Sequence, residues 1–477
     1  NLFLGINAQE NQTSSLSSQY RGFPSAALHT IGHAKEIVSK PSGADNKTRL
    51  MGIFISGNYS WDNIILGDVS IRFDGSSEFG SDSQWGSFWS VGGGINVHNL
   101  KFMKALPWLN QFKIRGTYGA TGKVNYPPYA ARDTYEVLFD DWYSTGVGAT
   151  LQGIGNEKLV WEKTNTTNIG FDLSFFQSKY SLTFSWYNRQ TVDMITDVTI
   201  PSSAGFTSYK DNMGEARNRG YEISLNATIL NTKDFGVNAF INFARNEGRL
   251  MKISESLKAY NERVKKMFEE SYAWDDPEKA LQSQPFLQYE EGGSLSSIWG
   301  VRSLGINPAD GQEVFLNREG RQTKSWSASD QVVLGTSEPT VQGMFGFNVV
   351  YKQFSLFANF MYEAGGQRYN QTLVDKVENV NVYTDNVDER VLTGRWKKAG
   401  DHAKYKALTS GRDGVESTKP TSRFVQDYNM LSWNSLELGY DMPADLTKKL
   451  NLSMCRFTLG MTDLLHLSSV KQERGTS

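Results

Sequence analysis

The stretch YSLTFSWY, Tyr180 to Tyr187, decides the fold. Tyr180, Leu182, Phe184 and Trp186 fall on one face and Ser181, Thr183 and Ser185 on the other, the period of a strand with one apolar side. Just upstream, Ile169, Phe171, Leu173 and Phe175 alternate with Gly170, Asp172 and Ser174. Only Gln177-Ser178-Lys179 separates the two runs, so they read as a hairpin. The pattern recurs outward in both directions. Tyr221, Ile223, Leu225, Ala227 and Ile229 lead through Asn231 to Asp234 into Val237, Ala239, Ile241 and Phe243. Phe345, Phe347, Val349 and Tyr351 lead through Lys352-Gln353 into Phe354, Leu356, Ala358, Phe360 and Tyr362. Val69, Ile71 and Phe73 form another such run, as do Phe112, Ile114 and Tyr118, then Leu436, Leu438 and Tyr440, then Phe457, Leu459 and Met461.

The connections alternate in length. Short ones lie near Trp61-Asp62-Asn63, Gln177 to Lys179, Asn231 to Asp234, Lys352-Gln353 and Met442 to Asn451. Long ones span about 10–47, 120–164, 190–217, 248–340 and 366–427. Short turns at one end and long loops at the other are the habit of a membrane barrel. A compact soluble domain rarely carries several structureless loops beyond about 15 residues. One loop has helical spacing: in Glu255 to Glu270, Leu257, Tyr260, Val264, Met267 and Phe268 share a face, with Pro277 beyond its end. Counting runs predicts an all-β chain, a transmembrane antiparallel barrel segment of about 12–14 strands. A soluble β-sandwich or β-helix also alternates. Rings at strand ends (Tyr59, Trp61, Trp186, Tyr187, Tyr351, Tyr362, Trp433 and Tyr440) favour the membrane, where amphipathic aromatics form interfacial girdles.

Composition agrees. The 477 residues carry a net charge of -2, so no nucleic-acid partner is expected. Aromatics reach 13%, and 44 glycines stand against 12 prolines. Mean hydropathy is -0.46, as amphipathic strands with polar loops would give. No run approaches the roughly 20 apolar residues of a spanning helix, so a membrane form must be a barrel. Cys455 is the single cysteine, which rules out an intrachain disulfide and a Cys-rich metal site. Asn1 is not a start methionine and no signal peptide precedes it, so the exported protein is expected to begin upstream.

Gly67 to Val97, GDVSIRFDGSSEFGSDSQWGSFWSVGGGINV, resembles the barrel of SusC/RagA-type TonB-dependent transporters of Bacteroidota. The family's D-G-S-S-x-F-G segment is Asp74 to Gly80 here, and its W-G-x-F-x-S-V-(G/A) is Trp85 to Gly92. Phe112 to Lys123, Asn156 to Leu173, Asn212 to Leu225, Leu304 to Gly320, Leu334 to Gly366 and Arg395 to Asp401 resemble later family motifs, in the family's order. Glu157 stands where proline is usual. The resemblance implies that residues 1–477 are a partial barrel domain, the C-terminal half of about 22 strands. The plug, the N-terminal extension and the final strand would lie outside it.

It also implies location in the bacterial outer membrane as a multi-pass barrel among outer-membrane lipids. The implied activity is nutrient uptake, TonB-dependent import of oligosaccharides or peptides, with no enzymatic step. The implied partners are a SusD-like surface lipoprotein and TonB, the latter acting through the plug region. A passive porin and a secreted β-rich adhesin remain alternatives. No catalytic constellation stands out, and no cofactor is expected. His29 and His33 in HTIGH have a metal-compatible spacing, but Gly32 and the loop context argue against a metal. Asp74-Gly75 and Asn125 read as turn chemistry, and Gly92 to Gly94 as a place for a strand to bend. The motif residues are therefore expected to be structural. The candidate substrate-binding residues are long-loop aromatics, Tyr126, Tyr129, Trp142, Tyr143, Trp299 and Trp326, which offer flat faces to sugars or peptides unless they pack on one another.

Overall fold

The computed structural model describes residues 1–39, 41–80, 83–123, 129–144, 146–199, 208–212, 214–270, 281–380, 387–408 and 417–470. Thirteen strands form one antiparallel sheet, each bonded to its neighbours in chain order. They are β1 (Leu2–Ser17), β2 (Ser42–Trp61), β3 (Ile65–Ser76), β4 (Trp85–Asn96), β5 (Leu109–Lys123), β6 (Glu162–Phe175) and β7 (Tyr180–Val192). β8 (Glu215–Asn231), β9 (Phe235–Lys252), β10 (Val341–Tyr351), β11 (Phe354–Tyr369), β12 (Val425–Asp441) and β13 (Arg456–Ser468) complete it. The count falls within the expected range, and the sheet is antiparallel throughout.

Register explains why this sheet has two different faces. One cross-strand row runs Phe112, Leu173, Leu182, Leu225, Ile241, Phe345, Phe360, Trp433 and Leu465, apolar at every step from β5 to β13. The adjacent row, from the opposite face, runs Lys113, Asp172, Thr183, Ser224, Asn242, Met344, Met361, Ser432 and His466. A slip of one residue in any strand would exchange the faces, so the apolar row pins the register. On the apolar side the rings also touch across strands. Phe171 stacks on Phe184 at 5.1 Å, Phe345 on Phe360 at 5.0 Å and Phe360 on Trp433 at 5.4 Å. Such contacts leave the rows laterally packed while their outer surface stays open, as at Leu225 and Ile241, 40% and 43% exposed.

The turns close where their residues permit. Asp62 and Asn63 both take φ 52°, which Asp and Asn tolerate, and Lys352 takes φ 51° in its two-residue turn. The length rule for connections is looser than expected. Residues 77–84 join β3 to β4 at the long-loop end with only a short connection, whereas 97–108 at the other end hold two 3-10 turns. The first hairpin also departs from the expected loop of about 10–47. Its pairing continues to Ser17 opposite Ser42, through ENQTSSLS and SGADNK. Apart from Leu16 these residues are polar or small, as suits a hairpin with water on both faces, so alternation vanishes while the strand continues.

The long loops hold more structure than the single expected helix. That helix, α1 (Glu255–Glu269), forms as read: the Ser254 hydroxyl caps it by accepting the Leu257 N–H. Val264 and Phe268 are buried beside Ala328, with Tyr260, Met267, Phe286 and Trp326 around them. Small antiparallel pairs, Thr134–Tyr143 with Gly146–Gly153 and Ile195–Thr199 with Ser208–Asn212, stand in two other loops. Two further units, Ser297–Gly300 with Val332–Thr336 and Arg302–Ile306 with Glu313–Leu316, flank Val301 in the loop after β9.

Candidate functional site

The polar face carries cross-strand ladders. Arg115 of β5 donates to Asp172 at 3.3 Å and Asn168 at 3.4 Å on β6, and to Ser185 on β7 at 2.7 Å. Arg72 of β3 donates to Asp74 at 2.6 Å and to Asn7 of β1 at 2.9 Å. Arg456 of β13 donates to Ser355 of β11 at 2.9 Å and to Asp441 of β12 at 3.3 Å. Each arginine ties two or three strands together on the side away from the apolar row. That wall can hold water and polar solutes.

Three of the family-like motifs, Asp74 to Gly80, Trp85 to Gly92 and Asn156 to Leu173, meet at the long-loop end of the sheet. Phe79, Phe88, Leu159 and Trp161 are buried together with Ala131 and Ile195. The Phe79 and Trp161 rings lie 4.6 Å apart, and Trp161 Nε1 donates to the Gln84 carbonyl at 3.2 Å. Gly80 passes so close to Glu157 that a Cβ would overlap the Glu157 backbone. These motifs are structural, as expected, but one detail differs. Asp74 and Gly75 are not a turn: they end β3, paired with Gly86 and Trp85, and Asp74 is buried against Arg72. Gly92 sits opposite Asp68, whose carboxylate occupies the space a Cβ would need. At Gly92 this close approach stands beside the bend as a reason for glycine.

The two longest loops are bound into one lobe. Arg423 sends two bonds to Glu313, 2.8 and 2.7 Å, one to Glu378 at 2.7 Å and one to the Lys404 carbonyl at 2.8 Å. Glu313 lies in the loop after β9, and the other three in the loop after β11. Around this ion network pack Leu373, Val374, Val377, Val380, Val391, Tyr405 and Phe424. Val301 N donates to Pro420 O at 3.0 Å, and Trp396 Nε1 to Pro308 O at 2.9 Å. The two loops are thus joined by hydrogen bonds and this ion network, while each keeps its own apolar cluster. Nearby, the Asp388 carboxyl is held at a pKa of about 2, chiefly by the Arg390 guanidinium bonded to it and also by the Arg390 N–H.

The six candidate aromatics do not form one cluster. Tyr126 lies outside the described residues. Tyr129, at φ 72°, uses its hydroxyl to accept the Lys47 N–H at 3.3 Å, which ties its loop to β2. Trp142 pairs in register with Val147, and Tyr143, at the tip of that hairpin, is 71% exposed. Trp299 is only 6% exposed and packs inside the lobe. Trp326 is half-buried. Its Nε1 donates to Pro420 O at 3.1 Å, its ring lies 5.1 Å from Phe268, and the Lys419 ammonium stands over it at 5.1 Å. It also borders a cavity of about 510 Å³ with Asp310, Glu313, Lys324 and Lys406. The sequence reading missed the Arg423 network and the charged cavities of the lobe. Glu313, Glu378 and Arg423 are 45 and 110 positions apart, and no local spacing signals them. Among the described residues, no group of three His, Cys, Asp or Glu side chains is placed to hold a metal.

Known proteins share this arrangement. The family described as TonB dependent receptor-like, beta-barrel matches residues 1–301. TonB-dependent receptor P3 of Formosa agariphila is 25% identical over 450 residues, covering 90% of this chain and 42% of its own length. TonB-dependent receptor SusC of Bacteroides thetaiotaomicron is 32% identical over 218 residues, 44% of this chain and 21% of its own length. Among solved structures, the RagAB peptide transporter superposes with a TM-score of 0.80 at 24% identity, covering 98% of this chain and 50% of that one, a likeness of fold. The chain spans less than half the length of the curated relatives it matches. With apolar and polar rows on opposite faces and a match over well over half its length, the chain belongs to the TonB-dependent receptor β-barrel family of the outer membrane.

Proposed function

We propose that this chain forms the wall and outer mouth of a TonB-dependent importer that carries oligosaccharides across the outer membrane with a SusD-like surface lipoprotein. The observation that carries this reading is the two-faced row pattern, with Leu225 and Ile241 on the outside and Ser224 and Asn242 beside them on the inside. Such a wall is stable in lipid and offers a wet, hydrogen-bonding passage. No covalent step is required of it. Residues 1–477 are in this reading part of one barrel domain of a longer protein. Among the described residues β1 and β13 are bonded on one side only, and in lipid each unpaired backbone group costs several kcal/mol, so further strands supply those edges. The plug and the segment that TonB pulls belong to the same longer protein.

Cargo contacts come from the mouth. Tyr129, Tyr143 and Trp326 supply ring faces on loops fixed to the barrel; Tyr126, Trp142 and Trp299 complete the set proposed from the sequence. A peptide cargo is the second reading, favoured by the fold likeness to the RagAB peptide transporter. The test is uptake by cells carrying the complete protein, with labelled oligosaccharides and labelled peptides offered in parallel, with and without TonB. Oligosaccharide uptake that stops without TonB is expected. Uptake indifferent to TonB would replace this reading with a passive porin, and uptake of peptides alone would replace the cargo.

A further inference from the structure

The lobe contains a second cavity, of about 570 Å³, whose lining is strongly cationic. Arg390, Arg395, Lys397, Lys404 and His402 border it, and Asp401 is the one carboxylate among the described lining residues. That balance is unusual in a chain with a net charge of -2. The cavity is also built rather than accidental. Trp396 N donates to Tyr405 O at 3.1 Å, and the N–H groups of Lys404 and Tyr405 donate to Gly394 O at 3.0 and 3.1 Å. These bonds staple residues 394–396 to 404–405 and present the intervening loop as a fixed rim.

Three acids stand near the rim, and each is engaged: Glu378, beneath it, accepts from Arg423 at 2.7 Å. Asp401 accepts the N–H groups of Lys397 and Lys398 at 3.0 and 2.9 Å, closing the loop from within. Asp388 is paired with Arg390 at 2.6 Å. Lys397 and Lys404 make no ion pair among the described residues. Deepest of all is Arg395, 6% exposed, whose guanidinium donates to the carbonyls of Lys406 at 3.0 Å, of Glu378 at 3.3 Å and of Val377. Its Nε–H is buried and has no acceptor. That atom lies behind the lining, so Arg395 adds positive charge beneath the cavity rather than a contact within it.

We propose that this cavity binds an oxyanion, a carboxylate or sulfate ester, carried on an acidic oligosaccharide. The inference rests on the oligosaccharide reading above for the identity of the cargo, and on the cavity alone for the charge. One compact anionic group would meet the Lys397 and Lys404 side chains on the rim, with the Arg395 guanidinium adding positive charge from beneath. A sugar ring bearing such a group fits the volume, and a neutral sugar would add nothing to balance the excess of cationic side chains around it.

The test uses the complete transporter, purified, with trigalacturonate, its neutral methyl ester and triglutamate as probes in titration calorimetry. Trigalacturonate is expected to bind about tenfold or more tightly than the ester, and the preference should shrink as salt is raised. The double variant K397Q/K404Q, altered at rim side chains, should lose about tenfold of that affinity and leave the ester unchanged. Equal binding of acid and ester, or a preference that survives in the variant, would overturn the proposal. Triglutamate binding as tightly as trigalacturonate would overturn its saccharide part. Uptake of neutral oligosaccharides, measured separately, reports on the proposed function whichever way the charge preference falls.

Discussion

Replacing Arg423 with methionine should open the loop lobe and leave the barrel intact. The side chains of Glu313 and Glu378 are 6% and 0% exposed, and Arg423 bonds to both. Methionine fills much of the same volume but leaves two buried carboxylates without this counter-charge. Removing one partner of a buried pair typically costs about 3–5 kcal/mol. At about 1.4 kcal/mol per factor of ten, local opening should become about two to three and a half orders of magnitude more frequent. Hydrogen exchange on the complete protein reads this directly. Amides of Val301 and Ser303, which bond to residues 420 and 422, should exchange far faster, while those of β7 to β9 should not change. The triple variant R423M/E313Q/E378Q should regain protection, because neutralising both carboxylates removes the uncompensated charge. Unchanged exchange in R423M would refute the view that this network joins the loops. Loss of protection through the barrel strands would refute the view that the lobe opens independently.

Three further outcomes follow from the same geometry. An arginine at Leu225 or Ile241 should cost about 2–4 kcal/mol if those positions lie near the bilayer midplane, read as loss of heat-modifiable migration, whereas arginine at Ser224 on the opposite face should be tolerated. In a C455S background, a cysteine at Lys258 should react with an impermeant reagent on intact cells and one at Ser178 should not; the reverse labelling would invert the topology. For Asp388, whose carboxyl is held at about 2 by Arg390, folding stabilises the charged form, so this contribution is present above the unfolded value near 3.9 and is lost as pH falls from about 4 through 2. Cleavage around residues 387–395 by an acid-active protease should rise over that window, and D388N should show the raised cleavage at pH 5; a variant indistinguishable from wild type at that pH would remove Asp388 from the account.

What could be read in the sequence and what could not divides along a physical line. The row through Leu182, Leu225, Ile241 and Phe360 was legible because a strand between lipid and water must alternate, and the period is written into neighbouring residues. The helix at Glu255 was legible for the same reason at a period of 3.6, with Ser254 in place to cap it. Alternation fell silent where both faces meet the same medium, so residues 10–17 and 42–47 read as loop although they pair to the end. Tyr187 shows the limit of reading a ring by its position. It follows Trp186 directly, so the two must face opposite ways: Trp186 lies on the apolar side, and Tyr187 turns inward to donate to Asn246 at 2.9 Å. The lobe was illegible for a different reason. Arg423 finds Glu313 across 110 positions, and Arg395 acquires its unsatisfied N–H only when residues 377, 378 and 406 fold over it. Motif resemblance located Arg395 to Asp401 without saying what that segment does. Long-range charge placement leaves no period in a sequence, and the cargo selection proposed above rests on this placement, at the mouth rather than in the wall.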